Sequence, residues 1–353
     1  MTQTPYAAGR LAPVQIKLLT PDAAVRWDQF VSHHPEATFF HRAAWRDVID
    51  GAFGHDTHYL YAETDGRIEG VLPLGHIRSR LFGNALVSTP FCVYGGIIAS
   101  TPAAHSALDQ AACELARRLG VDHLELRNLS ASGSGRPTKN LYVTFRKTID
   151  PDPEKNMLAI PRKQRAMVRK GINAGLVSEV DDNLDRFYAT YAASVHRLGT
   201  PVFARKYFET LKTIFGDDCE VLTVFHNGRA VASVMSFYFR DEVLPYYGGG
   251  THAAREFAAN DFMYWEVMRR AGERGLRVFD YGRSKQGTGS YSFKKNWGFE
   301  PRPLPYEYVL VKSKAVPDVN PLNPKYRLFI EAWKRMPFAL SKLIGPWLAR
   351  SLG

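Results

Sequence analysis

The stretch "VLTVFHNGRAVASVMSFYF", residues 221–239, is two apolar runs joined by Asn227-Gly228. Such a dipeptide marks a tight hairpin, because both central residues of the turn need positive φ. The same design occurs earlier as "YLYAETDGRIEGVLPLGHI", residues 59–77, with Asp65-Gly66 at the turn. The two turns lie 162 positions apart. Upstream, "PVFARKYFETLKTIFGD" (201–217) matches "TFFHRAAWRDVIDGAFG" (38–54), pairing Phe203 with Phe40, Arg205 with Arg42, Phe208 with Trp45 and Leu211 with Val48. Apolar positions three or four apart make both segments helices. Downstream, "SALDQAACELARRLGVDHLELRN" (106–128) and "NDFMYWEVMRRAGERGLRVFDYGR" (260–283) each read helix, glycine stop, strand. Three element pairs in one order at nearly one offset indicate a duplication. Helices mixed with antiparallel hairpins give two halves of α/β (α+β) class. The expected division is 1–148, 149–312 and a tail, 313–353.

The second half opens on "DPDPEKN" (150–156), read as a loop, and "PRKQRAMVRKGINAG" (161–175), read as a helix with Pro161 in its first turn and a stop at Gly171 or Gly175. In the tail, "NPLNPKY" is expected to be extended. "RLFIEAWKRMPFALSKLIGPWLARSL" is expected to form one or two short amphipathic helices interrupted at Pro337 and Pro346.

The net charge of +11 and a pI near 9.5 point towards an anionic partner: a phosphate-bearing substrate, nucleic acid or an anionic membrane surface. Cys92, Cys113 and Cys219 are scattered without metal-ligand or disulfide spacing, which suits a reducing compartment. His55 and His58 read as a solvated loop pair, and no metal centre is expected. The longest apolar stretch, 85–100, is broken by Pro90, Gly95 and Gly96 and reads as buried strands. A cytoplasmic protein is expected, with contact at the inner membrane face left open. Nucleophile elbows and phosphate-binding glycine fingerprints are missing.

Chemistry concentrates at "FDYGRSKQGTGSYSFKKNWGFEPRPLPYEY", residues 279–308. Asp280 ends a strand, and Arg283, Ser284 and Lys285 follow at the strand exit, where open α/β sheets bind ligands. Tyr291, Phe293 and Trp297 are expected to pin this segment to the core and aim Lys294 into a cleft, with Lys295 beside it. There Lys294 could clamp a phosphate or stabilise an oxyanion. Arg162, Arg165 and Arg169 share one face of the basic helix, a like-charge arrangement that an anion would relieve. Tyr247, in the Gly-rich "YYGGGTHAAREF", joins the substrate-binding candidates, and Asp280 is the candidate proton acceptor.

The pattern FDYGRS…G.Y.FK..WG, followed by the aromatic strand "LPYEYVL", resembles the C-terminal signature of FemAB-type transferases and their relatives of the GNAT acyltransferase fold. The basic helix is similar to the segment preceding that family's second domain. The resemblance covers roughly residues 15–312 and extends to the subgroup associated with exosortase/PEP-CTERM and exopolysaccharide loci of Gram-negative bacteria. It implies tandem GNAT-like (acyl-CoA N-acyltransferase) domains. It also implies transfer of an aminoacyl group from aminoacyl-tRNA to an amine of a peptidoglycan precursor. Phe293-Lys294 would match the family's Phe-Lys pair, whose lysine lies near phosphate at the active centre. Arg165 or Arg169 would match a residue on the precursor's phosphates. Two departures leave the donor open between aminoacyl-tRNA and acyl-CoA. The coiled-coil arm associated with tRNA handling has no counterpart, and "RRAGER" (269–274) lacks the last small residue of the coenzyme A loop.

The expected function is therefore N-acyl transfer to an amine of an anionic peptidoglycan or exopolysaccharide precursor, with no tightly bound cofactor. Alternatives are a coenzyme A-dependent amino-sugar acetyltransferase and a non-catalytic RNA- or membrane-surface-binding module. Residues 327–350, cationic beside an apolar aromatic face, could also make peripheral membrane contact or simply cover the second half.

Overall fold

The computed structural model describes residues 13–79, 82–317 and 324–351. The first half contains β1 (Gln15–Leu18), α1 (Ala24–His33), α2 (Trp45–Phe53), β2 (Asp56–Thr64), β3 (Arg67–Ser79), β4 (Gly83–Ser88), β5 (Ile98–Ala99), α3 (Pro102–Leu119), β6 (His123–Arg127), β7 (Thr138–Lys139) and β8 (Tyr142–Thr148). The second contains α4 (Pro153–Ala159), α5 (Arg162–Asn173), β9 (Val177–Val180), α6 (Leu184–Leu198), α7 (Arg205–Phe215), β10 (Cys219–His226), β11 (Arg229–Phe239), β12 (Glu242–Gly250), α8 (Ala259–Glu273), β13 (Val278–Lys285), α9 (Gly289–Asn296), β14 (Pro301–Pro303) and β15 (Tyr306–Leu310). The tail forms α10 (Pro324–Arg335) and α11 (Phe338–Ala349).

The matched elements recur in order, α2, β2, β3, α3 and β6 in the first half and α7, β10, β11, α8 and β13 in the second, and the two hairpins turn as their dipeptides require: Asp65, Gly66, Asn227 and Gly228 all have positive φ. α3 and α6 end on left-handed glycines, Gly120 and Gly199. α5 stops at Gly175, also left-handed. Gly171 is instead a point of close approach between helices, since a Cβ there would stand 2.7 Å from Cβ of Phe262 on α8. Gly171→Ala should therefore destabilise the protein by about 1–3 kcal/mol despite alanine's better helix propensity. A thermal melt checks this.

The first sheet runs β1-β2-β3-β4-β6-β15-β7, and the second runs β14-β8-β13-β12-β11-β10-β9. Each half thus lends a strand to the other. β8 pairs antiparallel with β13, Arg146 opposite Asp280, and β15 pairs antiparallel with β6, Tyr306 opposite Arg127. The division of the chain near 148 and 312 is therefore not the division of the sheets. Within each sheet one parallel pair meets briefly and then parts. β4 and β6 pair at Ala85–Val87, and β12 and β13 pair only at Glu242 and Val243.

The matched helices α2 and α7 pack on each other. Phe39 stacks on Phe237 with ring centroids 4.6 Å apart, Trp45 lies against Phe215, and Arg42 reaches Asp218 at 2.7 Å. One core spans both halves, while α3 covers the first sheet and α8 the second with cores of their own. Burying this much aromatic surface between duplicated units makes the pair one cooperative body.

Two expectations need correction in the tail. Pro337 separates the helices, but Pro346 lies inside α11 and does not interrupt it. Of "NPLNPKY", residues 320–323 lie outside the described residues, and Pro324 already opens α10. His55 and His58 are not a solvated pair either. His55 is buried, with Nε2 2.6 Å from the Arg350 carbonyl oxygen, and His58 lies within β2.

Candidate active site

The chemistry-bearing segment begins with an irregularity in β13. Its register against β8 jumps between Asp280 and Arg283, leaving Tyr281 and Gly282 as a bulge, and Gly282 takes φ 63°. A bulge takes successive backbone groups out of the ladder. Lys294 collects them. Its Nζ donates to the carbonyl oxygens of Tyr281 at 2.6 Å, Gly282 at 3.2 Å and Arg283 at 3.1 Å, so an ammonium's three protons are engaged. Lys294 stands on the short helix α9. Thr288 caps it, its Oγ1 accepting from the Tyr291 backbone N–H at 3.4 Å. The ammonium also lies over the Phe145 and Tyr281 rings. Burial pushes its pKa down to about 7, with Asp280 pulling the other way.

Asp280 is 1% exposed and faces inward. It accepts the Gly282 N–H at 2.6 Å and the Tyr94 hydroxyl at 3.0 Å, and Arg146 Nε stands 3.6 Å away. Burial raises its pKa; Arg146, the Gly282 N–H, Tyr94 and Lys294 oppose that rise. Tyr94 also bonds Thr144, and Arg146 pairs with Glu242. Asp280 therefore ties the two halves together and holds the bulge.

The three aromatic residues pack on the core, but the Lys294 ammonium turns to backbone carbonyls and not into a cleft. Tyr291 meets Phe145 edge-on, Phe293 packs on Tyr264 and Trp297, and Trp297 is fully buried. Trp297 Nε1 donates to Asp261 Oδ1 at 3.0 Å, and the same oxygen accepts from Gln164 on α5. Pro161, just before α5, lies against Gly298. One buried carboxylate on α8 thus fixes the basic helix and the lysine helix in a single unit.

α5 lines an open concavity of about 720 Å³ with Arg162, Arg165, Ala166, Arg169, Lys170, Asn173 and Ala174. Arg162, Arg169 and Lys170 are exposed there. Arg165 is employed differently, its Nη2 donating to the carbonyl oxygens of Leu158 and Ile160, both at 3.0 Å. Arg283 lies between the rings of Tyr142 and Tyr306 and reaches the Tyr306 hydroxyl at 3.3 Å. Ser284 is buried and its hydroxyl has no partner among the described residues, whereas Lys295 is exposed. Tyr247 stands apart from these residues, buried among aromatics with its hydroxyl 2.8 Å from that of Tyr207.

The parting of β12 and β13 is not an open cleft. The first half's loop fills it: Tyr94 reaches Asp280, and the Tyr246 hydroxyl donates to the Phe91 carbonyl at 3.2 Å. Thr89 and Phe91 in that loop hold positive φ, a strained backbone for such residues. The corresponding parting of β4 and β6 borders a cavity of about 220 Å³ lined by His41, Tyr94, Arg127, Asn128, Ser130 and Ser132 among others. Arg127, 3% exposed, pairs with Glu125 at 2.7 Å and donates to the Cys92 carbonyl at 2.6 Å. His41 is buried, and burial drives its pKa down to about 4, so it is neutral; Nε2 lies 3.0 Å from the Gly96 carbonyl oxygen. Sequence reasoning missed this cavity. Its signal was the duplication: "RNLSASGSG" (127–135) follows a strand in the first half as "GRSKQGTG" (282–289) does in the second.

"RRAGER" cannot serve as a phosphate loop. An anion loop precedes a helix N-terminus, whereas these residues form the C-terminal end of α8, with Arg269 paired to Glu266 and Glu273.

A family profile described as an acetyltransferase (GNAT) domain matches residues 159–295. Among curated proteins no match is found. Among solved structures, FemX aligns over 90% of this chain and 100% of its own, with TM-score 0.67 and 15% identity. The C-terminal domain of a putative lysylphosphatidylglycerol synthetase from Agrobacterium fabrum covers 82% of this chain and 92% of its own, with TM-score 0.56 and 14% identity. A tandem GNAT protein from the clavulanic acid biosynthesis pathway covers 86% and 100%, with TM-score 0.53 and 15% identity. The duplicated sheets, each with one parting parallel pair, are thus two GNAT-like units, and residues 159–295 carry a GNAT acetyltransferase-type domain.

Proposed function

We propose that the protein is an N-acyltransferase that moves an acyl or aminoacyl group onto an amine of an anionic peptidoglycan or exopolysaccharide precursor. The supporting observation is the Gln164–Asp261–Trp297 junction, which joins the cationic concavity of α5 to the helix carrying Lys294. A phosphate-bearing acceptor bound on α5 would be held at a fixed setting relative to the strand exit. The reaction asks little else of the protein. The acceptor amine attacks the ester or thioester carbonyl, a C–N bond forms, the C–O or C–S bond to the donor breaks, and the amine's proton leaves with the departing group or solvent. Positioning supplies much of the acceleration. Lys294 can exchange one backbone carbonyl for the developing oxyanion. The exosortase-associated subgroup and the choice of aminoacyl-tRNA or acyl-CoA rest on the sequence pattern alone.

The deciding assay offers the purified protein charged tRNA and radiolabelled acetyl-CoA separately, each with a phosphate-bearing muropeptide precursor or an amino-sugar acceptor. Label transferred from tRNA supports aminoacyl transfer. Label transferred from acetyl-CoA to the amino sugar supports the acetyltransferase reading. Transfer from neither, with Lys294→Ala altering only RNA or vesicle binding, would make the chain a binding module.

The basic helix yields a separate expectation. Arg162→Ala with Arg169→Ala should raise KM for the acceptor about tenfold while kcat changes little, the mark of lost uniform binding. The effect should shrink at high salt. Arg165→Ala should instead loosen the turn at 158–160, because its bonds go to carbonyls there. A salt-independent KM would reduce the concavity to a solvated face.

A further inference from the structure

The tail helices are built inside out. α11 turns Ser341, Gly345 and Ala349 inward, one turn apart, while Leu340, Leu343 and Trp347 face solvent. Leu343 is 77% and Trp347 61% exposed. A surface helix of a soluble domain buries its large apolar residues, not its small ones. The inner face explains the small side chains: a Cβ on Gly345 would meet the Val202 backbone at 3.0 Å. That face is firmly seated. Trp333 of α10 is 2% exposed, His196 Nε2 lies 3.0 Å from the Met336 carbonyl oxygen, and His55 holds the Arg350 carbonyl oxygen. The outer face is therefore presented by fixed helices. Leu328, Phe329 and Phe338 extend it.

We propose that this outer face of α10 and α11 docks on an anionic lipid surface. Charge decides the occupant. Across residues 328–351 the cations are Lys334, Arg335, Lys342 and Arg350, all exposed, against one acid, Glu331, which Lys334 pairs at 3.1 Å. Large apolar and tryptophan side chains ringed by cations match the boundary between acyl chains and anionic headgroups. The Lys342 ammonium lies 5.3 Å over the Phe338 ring, its stem along apolar surface and its head free to reach a phosphate. Among the described residues no helix is long and apolar enough to cross a membrane, and the contact proposed is one of side chains on the outer face alone. The docking is independent of which donor the protein uses.

The test is flotation of the full chain with vesicles of phosphatidylcholine alone and of equimolar phosphatidylcholine and phosphatidylglycerol. Sedimentation of the free protein runs in parallel. The wild type should float with the anionic vesicles. Leu343→Glu with Trp347→Glu should weaken binding by about tenfold or more with an unchanged melting temperature, since both side chains are exposed. Lys342→Glu with Arg350→Glu should weaken it at low salt and matter little at high salt. Absence of wild-type flotation, or equal flotation of both variants, would overturn the proposal. So would a wild-type dimer that Leu343→Glu dissociates, because the face would then belong to a second copy.

Discussion

Lys294→Met should slow acyl transfer by on the order of 100-fold at saturating substrates, the usual cost of losing an oxyanion donor. The wild-type ammonium waits beside the bulge within β13, its protons on the carbonyls of Tyr281, Gly282 and Arg283. The Gly282 carbonyl, at 3.2 Å, is the weakest of the three and the one a developing anion would displace. Methionine keeps the stem's packing and removes the charge. Because burial brings the pKa to about 7, the charged form is lost as pH rises through that value, and wild-type kcat/KM should fall with it. The residual activity of the methionine variant should lack that limb. Stability moves the opposite way. Below about 7 the lysine is protonated in both folded and unfolded chains, and the burial penalty applies in full. Between about 7 and the ordinary 10.5 the unfolded chain holds the extra proton, so wild-type stability should rise with pH. Lys294→Met should flatten that rise. A variant with normal kcat would remove Lys294 from the mechanism.

Asp280→Ala should cost about 3–5 kcal/mol, the typical loss when one partner of a buried charged pair is removed. Arg146 would keep Glu242 and the Tyr94 hydroxyl would keep Thr144, but the Gly282 N–H would lose its acceptor and Tyr94 its tie to the second half. The bulge would lose its anchor, so activity should fall with stability. Asp280→Asn should be milder, about 1–2 kcal/mol, because an amide oxygen can still accept from Gly282. Burial already biases this carboxyl towards its neutral form. Urea denaturation midpoints measure both. A stable but inactive Asp280→Ala protein would return Asp280 to the chemistry and contradict the structural assignment.

The repeat was legible because hairpin dipeptides, helix stops and apolar spacing are local signals. Asn227-Gly228 states its turn in two residues. The strand exchange was not legible: nothing near Tyr306 says that its partner is Arg127 rather than a strand of its own half, because pairing choice is tertiary. At the site, the aromatic pins Tyr291, Phe293 and Trp297 could be read from spacing. The engagement of Lys294 could not, since it depends on a bulge that turns three carbonyls one way. Arg165 looked equivalent to Arg162 and Arg169 on a helical wheel. Its diversion to Leu158 and Ile160 depends on where the preceding turn runs. Tyr94 sits in a loop whose partner, Asp280, lies in the other half.

The reciprocal loan of β8 and β15 also sets an order of events at the ribosome. β6 is made early, but its outer neighbour β15 is synthesised only after nearly the whole second half. At roughly 5–20 residues per second, β6 waits some 10–40 s for its partner. During that interval the nascent first sheet carries a bare edge that another nascent chain could capture. The first half therefore cannot mature on its own as it emerges, and the two halves must complete each other after both have been translated. A chain cut before residue 306 should therefore accumulate as aggregate rather than as a folded domain.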